Sequence, residues 1–161
     1  MKEAIYDYTL AFIKYQNHFL MLNRIKSPWL GLWNGLGGKI QPNEFPKASI
    51  IRELKEEMGI SFHADDVLDK GVLTWNDFEA NGQGIHMFVI ELKKPLNQTF
   101  PRMTDEGILD MKTFDWIMDD MNYGIAPNIP YFLPTLLESG RHHIHCIFKD
   151  ETLVEVDIQP L

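Results

Sequence analysis

The sequence holds one cysteine, Cys146, so no internal disulfide can brace the chain and a small bridge-stapled scaffold is excluded. It also lacks any apolar run long enough to span a bilayer, and no membrane partner is expected. The first residues carry no apolar stretch followed by a small-residue cleavage site, which makes the cytoplasm the expected compartment. Basic residues are in deficit: 15 Lys and Arg stand against 23 Asp and Glu, a net charge of −8. A protein that grips a nucleic-acid polymer neutralises phosphates with a basic surface, so that class is disfavoured. An acidic chain suits the recruitment of cations instead. No internal repeat, low-complexity tract or long Pro/Gly/Ser linker is present. The 161 residues, 45% hydrophobic and 24% charged, read as one globular domain spanning 1–161.

One stretch organises the rest. Gly37-Gly38-Lys39-Ile40-Gln41-Pro42-Asn43-Glu44 runs on to Arg52-Glu53-Leu54-Lys55-Glu56-Glu57-Met58-Gly59-Ile60, a glycine loop feeding a carboxylate-rich helix. Pro46 suits a first helical turn, where its missing N–H is no loss, and Gly59 suits a left-handed C-terminal cap. On a helical wheel Arg52, Glu53, Glu56 and Glu57 share an arc of roughly 140°, with Ile51, Leu54 and Met58 opposite. Glu53 is three residues from Glu56 and four from Glu57, so three carboxylates crowd one face, each like pair opposing the helix by about 0.2–0.5 kcal/mol. Only Arg52 offsets them. Hard divalent cations take oxygen ligands and would turn this repulsion into affinity, jointly with substrate phosphates. The plainer alternative is a solvated helix face with one Arg–Glu pair. The preceding glycines favour the first reading, because they let backbone groups approach an ion closely.

The full pattern is Gly38, five residues, Glu44, seven residues, then Arg52-Glu53-Leu54-x-Glu56-Glu57-x-Gly59-Ile60. At every fixed position it is similar to the signature of the Nudix hydrolases, here occupying residues 38–60. The resemblance implies an α/β fold, an α/β/α sandwich around a mixed β-sheet. It also implies Mg²⁺ or Mn²⁺ held by Glu53, Glu56 and Glu57 with the Gly38 carbonyl and Glu106. Arg52 would orient Glu53; Glu53 and Glu106 are rivals for the base that activates water. Glu44 is expected to brace the loop, and Lys39 and Arg24 to contact phosphate.

Along the chain, Ala4 to Lys14 and Phe19 to Asn23 read as two strands of a hairpin. Arg24-Ile25-Lys26-Ser27-Pro28 is either a polar loop or a phosphate-facing arm; Arg24 resembles the basic residue after the second strand of Nudix enzymes acting on nucleoside triphosphates. Trp29 to Leu36 suggests a short buried strand, with Trp33 in the core. Asn34 can serve as a strand-end residue or, with donor and acceptor on one amide, read a base edge. Trp33-Asn34-Gly35-Leu36-Gly37-Gly38-Lys39 resembles the segment of eukaryotic 8-oxo-dGTP diphosphatases whose asparagine contacts the purine.

Ser61 to Asp69 reads as a polar loop. Gly71 to Asn76 and Ile85 to Leu92 read as a strand pair around a turn that holds Phe78. The proline and tyrosine that mark ADP-ribose and dinucleoside-polyphosphate members are absent from Trp75-Asn76-Asp77-Phe78. The acidic group Thr104 to Asp110 precedes an expected strand from Met111 to Ile117. Tyr131 to Ser139 is an expected helix, and at its start Ala126, Asn128 and Ile129 replace the tryptophan and paired aspartates of human-like oxidised-guanine enzymes. Asn128 can still bond a base. Arg141 to Lys149 and Thr152 to Ile158 suggest a final hairpin, with His143 and His145 on one surface face and Cys146 buried.

The expected function is therefore Mg²⁺-dependent cleavage of a small-molecule nucleotide, a nucleoside triphosphate such as 8-oxo-dGTP, to monophosphate and pyrophosphate, by a monomer or homodimer. The alternatives are hydrolysis of another nucleoside diphosphate derivative and a Nudix-fold nucleotide-binding regulator without turnover.

Overall fold

Leu10-Ala11-Phe12-Ile13 and Phe19-Leu20-Met21-Leu22 are apolar at every position and buried throughout, the pattern of strands covered on both faces. The computed structural model describes residues 6–26, 29–76 and 84–161. Its strands are β1 (Tyr8–Tyr15), β2 (His18–Arg24), β3 (Trp33–Asn34), β4 (Val67–Trp75), β5 (Ile85–Glu91), β6 (Arg102–Thr104), β7 (Gly107–Thr113), β8 (His142–Lys149) and β9 (Thr152–Pro160). Among the described residues these nine form one sheet in the order β6-β7-β2-β1-β5-β4-β8-β9, with β3 beside β2. The pairs β1–β5 and β4–β8 are parallel and the others antiparallel, so the sheet is mixed.

Alternate side chains of the central strands feed two cores. Ala11, Ile13, Leu20, Leu22, Phe88 and Ile90 meet Ile50, Leu54 and Met58 of helix α1 (Pro46–Met58) on one face. Leu10, Phe12, Phe19, Met21, Met87 and Val89 meet helices α2 (Phe114–Met118) and α3 (Ile129–Leu136) on the other. This is the expected α/β/α sandwich. No helix among the described residues is long and apolar enough to cross a membrane.

The helix boundaries follow their punctuation: Pro46 opens α1, and Gly59 closes it at φ 73° with its N–H on the Lys55 carbonyl. Both flanking hairpins, β1–β2 and β8–β9, form as expected. Three readings need correction. The segment from 61 to 69 is not all loop, because a 3₁₀ turn at Ala64–Asp66 leads into β4 at Val67. The strand expected to start at Met111 begins at Gly107 and pairs with β6 across a tight turn, while Thr113 caps α2 through its side chain and ends the strand there. The stretch from Trp29 to Leu36 gives only a two-residue strand, since Leu36 and Gly38 bond to β1 instead. The turn that contains Phe78 lies outside the described residues.

That last departure shapes the site. β1 pairs with β2 only at Ile13 to Tyr15. Nearer its start, Ala11 exchanges hydrogen bonds with Leu36 at 2.6 and 3.0 Å, and Thr9 donates to the Gly38 carbonyl at 2.9 Å, while β2 pairs with β3. The glycine segment is thus wedged between two splayed strands. A Cβ on Gly37 would strike the Thr9 carbonyl, and one on Gly35 would come within 2.6 Å of the Ala11 carbonyl, which explains why these positions need glycine.

Candidate active site

Arg52, on the solvent-facing side of α1, is the hub. Its Nε donates to Glu44 Oε2 at 2.7 Å and its Nη2 to Glu44 Oε1 at 2.9 Å and to the Lys39 carbonyl at 3.2 Å. Its Nη1 donates to Glu53 Oε1 at 3.1 Å and to Glu56 Oε2 at 3.2 Å. All five guanidinium donors are in use, and the planar fork sets both the loop and two acids of the helix. Glu44 also accepts from the Gln41 N–H at 3.1 Å; with Arg52 beside it, its carboxyl falls to about 2. The loop-bracing part expected of Glu44 and the orienting part expected of Arg52 both have this geometry.

Glu53 lies against Gly38. A Cβ there would sit 2.5 and 2.6 Å from the two Glu53 carboxylate oxygens, so the missing side chain admits the acid. Burial pushes the Glu53 carboxyl up, opposed by Arg52. One turn on, Glu57 is buried more deeply: burial, then the charges of Glu53 and Glu106, push it up to about 8. Its Oε2 is buried without a hydrogen-bond partner among the described residues. Glu56 is exposed and turned to Arg52.

A buried carboxylate oxygen with no donor, beside two further acids, fits a divalent cation, and an all-oxygen donor set suits Mg²⁺ or Mn²⁺. Among the described residues no three acidic, histidine or cysteine side chains converge as a ready metal cage; Arg52 draws Glu53 and Glu56 to itself. Glu53, Glu56 and Glu57 are the residues that would hold the ion. The Gly38 carbonyl accepts from both Thr9 N–H, at 2.9 Å, and Thr9 Oγ1, at 3.3 Å, so a cation would share it with β1.

Beside these acids a cavity of about 470 Å³ opens between the splayed strands and α3. Arg24, Asn34, Gly38, Glu106 and Asn128 all line it, so these five sequence-selected residues converge. Arg24 also acts on the Glu57 carboxyl, pulling it down. Glu106 is half-exposed and lies 3.7 Å from Lys26 Nζ. Asn34 Oδ1 accepts from the Gly35 N–H at 2.8 Å, the strand-end use, while the residue still faces the cavity. Lys39 is not brought in: its side chain is exposed, and its backbone carbonyl is what Arg52 uses. Aromatic walls from Tyr8, Trp29, Trp75, Phe132 and Phe148 complete the cavity. Sequence reasoning missed these walls and Thr9; the alternation Leu10, Phe12 opposite Thr9, Ala11 was the available signal for Thr9.

His143 Nε2 and His145 Nδ1 both meet Thr74 Oγ1, at 2.7 and 2.8 Å, across the β4–β8 pair. Cys146 is fully buried and burial pushes its thiol up to about 11, the opposite of an activated nucleophile.

A family model described as the NUDIX domain matches residues 8–136. Among curated proteins, the chain is 39% identical over 56 residues to an 8-oxo-dGTP diphosphatase of Proteus vulgaris, covering 35% of this chain and 50% of that one. It is 39% identical over 51 residues to a CTP pyrophosphohydrolase of Escherichia coli (strain K12), covering 31% and 38%. The chain thus spans half or less of the length of these relatives. A solved MutT protein from Bacillus halodurans superposes with TM-score 0.70 at 19% identity, covering 96% of this chain and 97% of that one. A NUDIX hydrolase from Nitrosomonas europaea gives 0.61 at 15%, covering 92% and 82%; at such identities the likeness is one of fold. Since the family model takes in most of the sheet, α1 and the cavity-lining start of α3, the chain belongs to the Nudix hydrolase family.

Proposed function

We propose that this chain is a Mg²⁺-dependent pyrophosphohydrolase that cleaves a nucleoside triphosphate to the monophosphate and pyrophosphate, with 8-oxo-dGTP the first substrate to test. The observation that carries the reading is Glu57, whose Oε2 is buried without a hydrogen-bond partner among the described residues and whose carboxyl is under the influence of Glu53 and of the same Arg24 and Glu106 that line the cavity. The names of the two curated relatives, an 8-oxo-dGTP diphosphatase and a CTP pyrophosphohydrolase, support a nucleoside triphosphate over other nucleotide classes. In this reading residues 1–161 work as one cytoplasmic domain, monomeric or homodimeric, on a small nucleotide and not on a nucleic-acid polymer.

Bound Mg²⁺ or Mn²⁺ would neutralise phosphate charge and lower the pKa of a bound water. The chain supplies the rest. Arg52 fixes Glu53 against the Gly38 turn, and Glu53 takes the proton of the attacking water. That water's oxygen bonds to phosphorus in line with the departing anhydride oxygen, and the old P–O bond breaks to release pyrophosphate. Arg24, at the cavity wall, binds phosphate oxygens; the aromatic walls exclude water and receive the base, with Asn34 and Asn128 at its edge. Glu106 sits at the exposed rim beside Lys26, a weaker position for the base than Glu53.

The test is initial rates with Mg²⁺ over 8-oxo-dGTP, ordinary nucleoside triphosphates, ADP-ribose and a dinucleoside polyphosphate, with pyrophosphate and phosphate assayed separately. A triphosphate that leads by about tenfold, roughly 1.4 kcal/mol of discrimination, and releases pyrophosphate supports the reading. A lead by ADP-ribose moves the substrate class, and turnover that survives Glu56→Gln with Glu57→Gln defeats the metal assignment.

A further inference from the structure

The sheet face that carries α1 is only partly covered. Among the described residues, the apolar side chains gathered around α1 come from β1, β2, β4, β5, β7 and their flanking loops, and none from β8 or β9. On that face β8 presents His143 and His145, while Ile144 and Cys146, which alternate with them, enter the opposite core. Both histidines lie beyond residue 136, where the family match ends.

The two imidazoles converge on one atom. His143 Nε2 lies 2.7 Å and His145 Nδ1 2.8 Å from Thr74 Oγ1, which the parallel β4–β8 register places opposite His145. The rings stand 6.3 Å apart with planes at 85°. All three residues are half-buried, so their side chains are held in place yet reachable from solvent. A hydroxyl has one hydrogen, so Thr74 donates to one ring nitrogen and accepts from the N–H of the other. Moving that ring proton to the far nitrogen is a change of tautomer without a change of charge. It leaves two nitrogen lone pairs aimed at one place.

A carboxylate stands beside them. Asp157 on β9 is the cross-strand partner of His145, and directly opposite residues of an antiparallel pair share a face with Cβ atoms about 4.5–5.5 Å apart. Its oxygens accept from Gln159 Nε2 at 3.2 and 3.4 Å, so Asp157 joins the histidines only after a turn of its side chain, in keeping with the lack of a ready three-residue cage among the described residues. Donor type then selects the ion. Imidazole nitrogens suit Zn²⁺, Ni²⁺ and Cu²⁺, whereas Mg²⁺ takes oxygen ligands.

We propose that His143 and His145, with Asp157 as third ligand, form a cation site on the β8–β9 face that takes a borderline transition-metal ion such as Zn²⁺ and is separate from the carboxylate face of α1. An ion there ties β8 to β9 and stabilises the folded chain by mass action.

The experiment titrates Zn²⁺ into the full chain by calorimetry with Mg²⁺ in large excess, and follows thermal melting of the same samples. Wild type is expected to bind one Zn²⁺ that Mg²⁺ does not displace, and to melt higher with it. His143→Gln and His145→Gln keep a polar partner for Thr74 and so spare the fold, which melting without Zn²⁺ verifies; each is expected to weaken Zn²⁺ binding at least about tenfold, and Asp157→Ala to weaken it less. Glu57→Gln, on the carboxylate face, should leave Zn²⁺ binding unchanged. With Cu²⁺ in place of Zn²⁺, electron paramagnetic resonance should show hyperfine coupling to two imidazole nitrogens in wild type and to one in each single histidine variant. Zn²⁺ binding that survives the combined His143→Gln, His145→Gln substitution, that Mg²⁺ displaces, or that Glu57→Gln abolishes would put the ion elsewhere and overturn the proposal. So would a wild type that takes up no Zn²⁺ in the presence of Mg²⁺.

Discussion

Glu44 grips Arg52 with both carboxylate oxygens, at 2.7 and 2.9 Å, from a loop eight residues earlier in the chain. The pair ties the glycine turn to α1, and through Nη1 of the same guanidinium it sets Glu53. Charge-assisted, forked bonds at partly buried groups are the strong class. Glu44→Ala is expected to lower stability by about 1–3 kcal/mol and to reduce turnover by releasing Arg52. The sign with pH follows from the depressed carboxyl: the stabilisation is complete above the ordinary value of 4.5 and is lost as pH falls toward about 2. Urea unfolding of wild type and Glu44→Ala should therefore differ at pH 7 and converge in acid; a constant difference would remove the ion pair as the cause.

The adjacent glycines should behave differently. At Gly37 a new Cβ strikes backbone, the Thr9 carbonyl, whereas at Gly38 it meets the Glu53 side chain. A side chain can swing away and a strand cannot. Gly37→Ala is expected to destabilise by about 2–4 kcal/mol through displaced strand backbone. Gly38→Ala should fold nearly normally but lose on the order of 100-fold in kcat as Glu53 leaves its place. Denaturant unfolding beside steady-state kinetics checks the contrast, and equal stability losses would refute it.

How much of this was legible depends on range. α1 could be read to the residue because Pro46 and Gly59 punctuate it locally, and the acid face because its spacing is helical. The Glu44 brace was visible as a residue role within the same motif. The parallel pairings of β1 with β5 and β4 with β8 were not, since each joins segments about 70 residues apart whose local patterns name no partner. The β6–β7 hairpin was hidden because its turn is built from Asp105 and Glu106, acids that read equally well as an open loop. Asn128 was legible as polar and Cys146 as buried, but no local pattern shows that Asn128 lines the same cavity as Arg24 and Asn34.

The base assignment gives a direct comparison. Glu53 is held by Arg52 against the Gly38 turn, while Glu106 lies at the rim, 42% exposed at its side chain, with Lys26 as its partner. Glu53→Gln is expected to lower kcat about 10²–10⁴-fold and Glu106→Gln far less, with Lys26→Ala nearly silent in stability because exposed ion pairs contribute about 0–1 kcal/mol. If Glu106→Gln shows the larger loss, the proton acceptor is Glu106.

Glu57 connects the site to pH through both stability and metal affinity. Burial and its acidic neighbours raise its carboxyl from 4.5 to about 8, so between these values the folded protein holds a proton that the unfolded chain has released. Unfolding free energy of the metal-free protein must then fall as pH rises from about 4.5 to 8. Glu57→Gln removes the charge and should make the metal-free protein more stable than wild type at pH 8, with little difference at pH 4.5. A cation reverses the balance, because it binds the ionised acid: Mg²⁺ affinity should climb with pH up to about 8, by at most about tenfold per unit for one displaced proton. Calorimetric titration at pH 6.5 in two buffers of different ionisation heat would report that proton, and Glu57→Gln should abolish it along with tight binding. Proton release unchanged by Glu57→Gln would assign the coupled acid elsewhere on the carboxylate face, with Glu53, which burial also pushes up, as the group to test next.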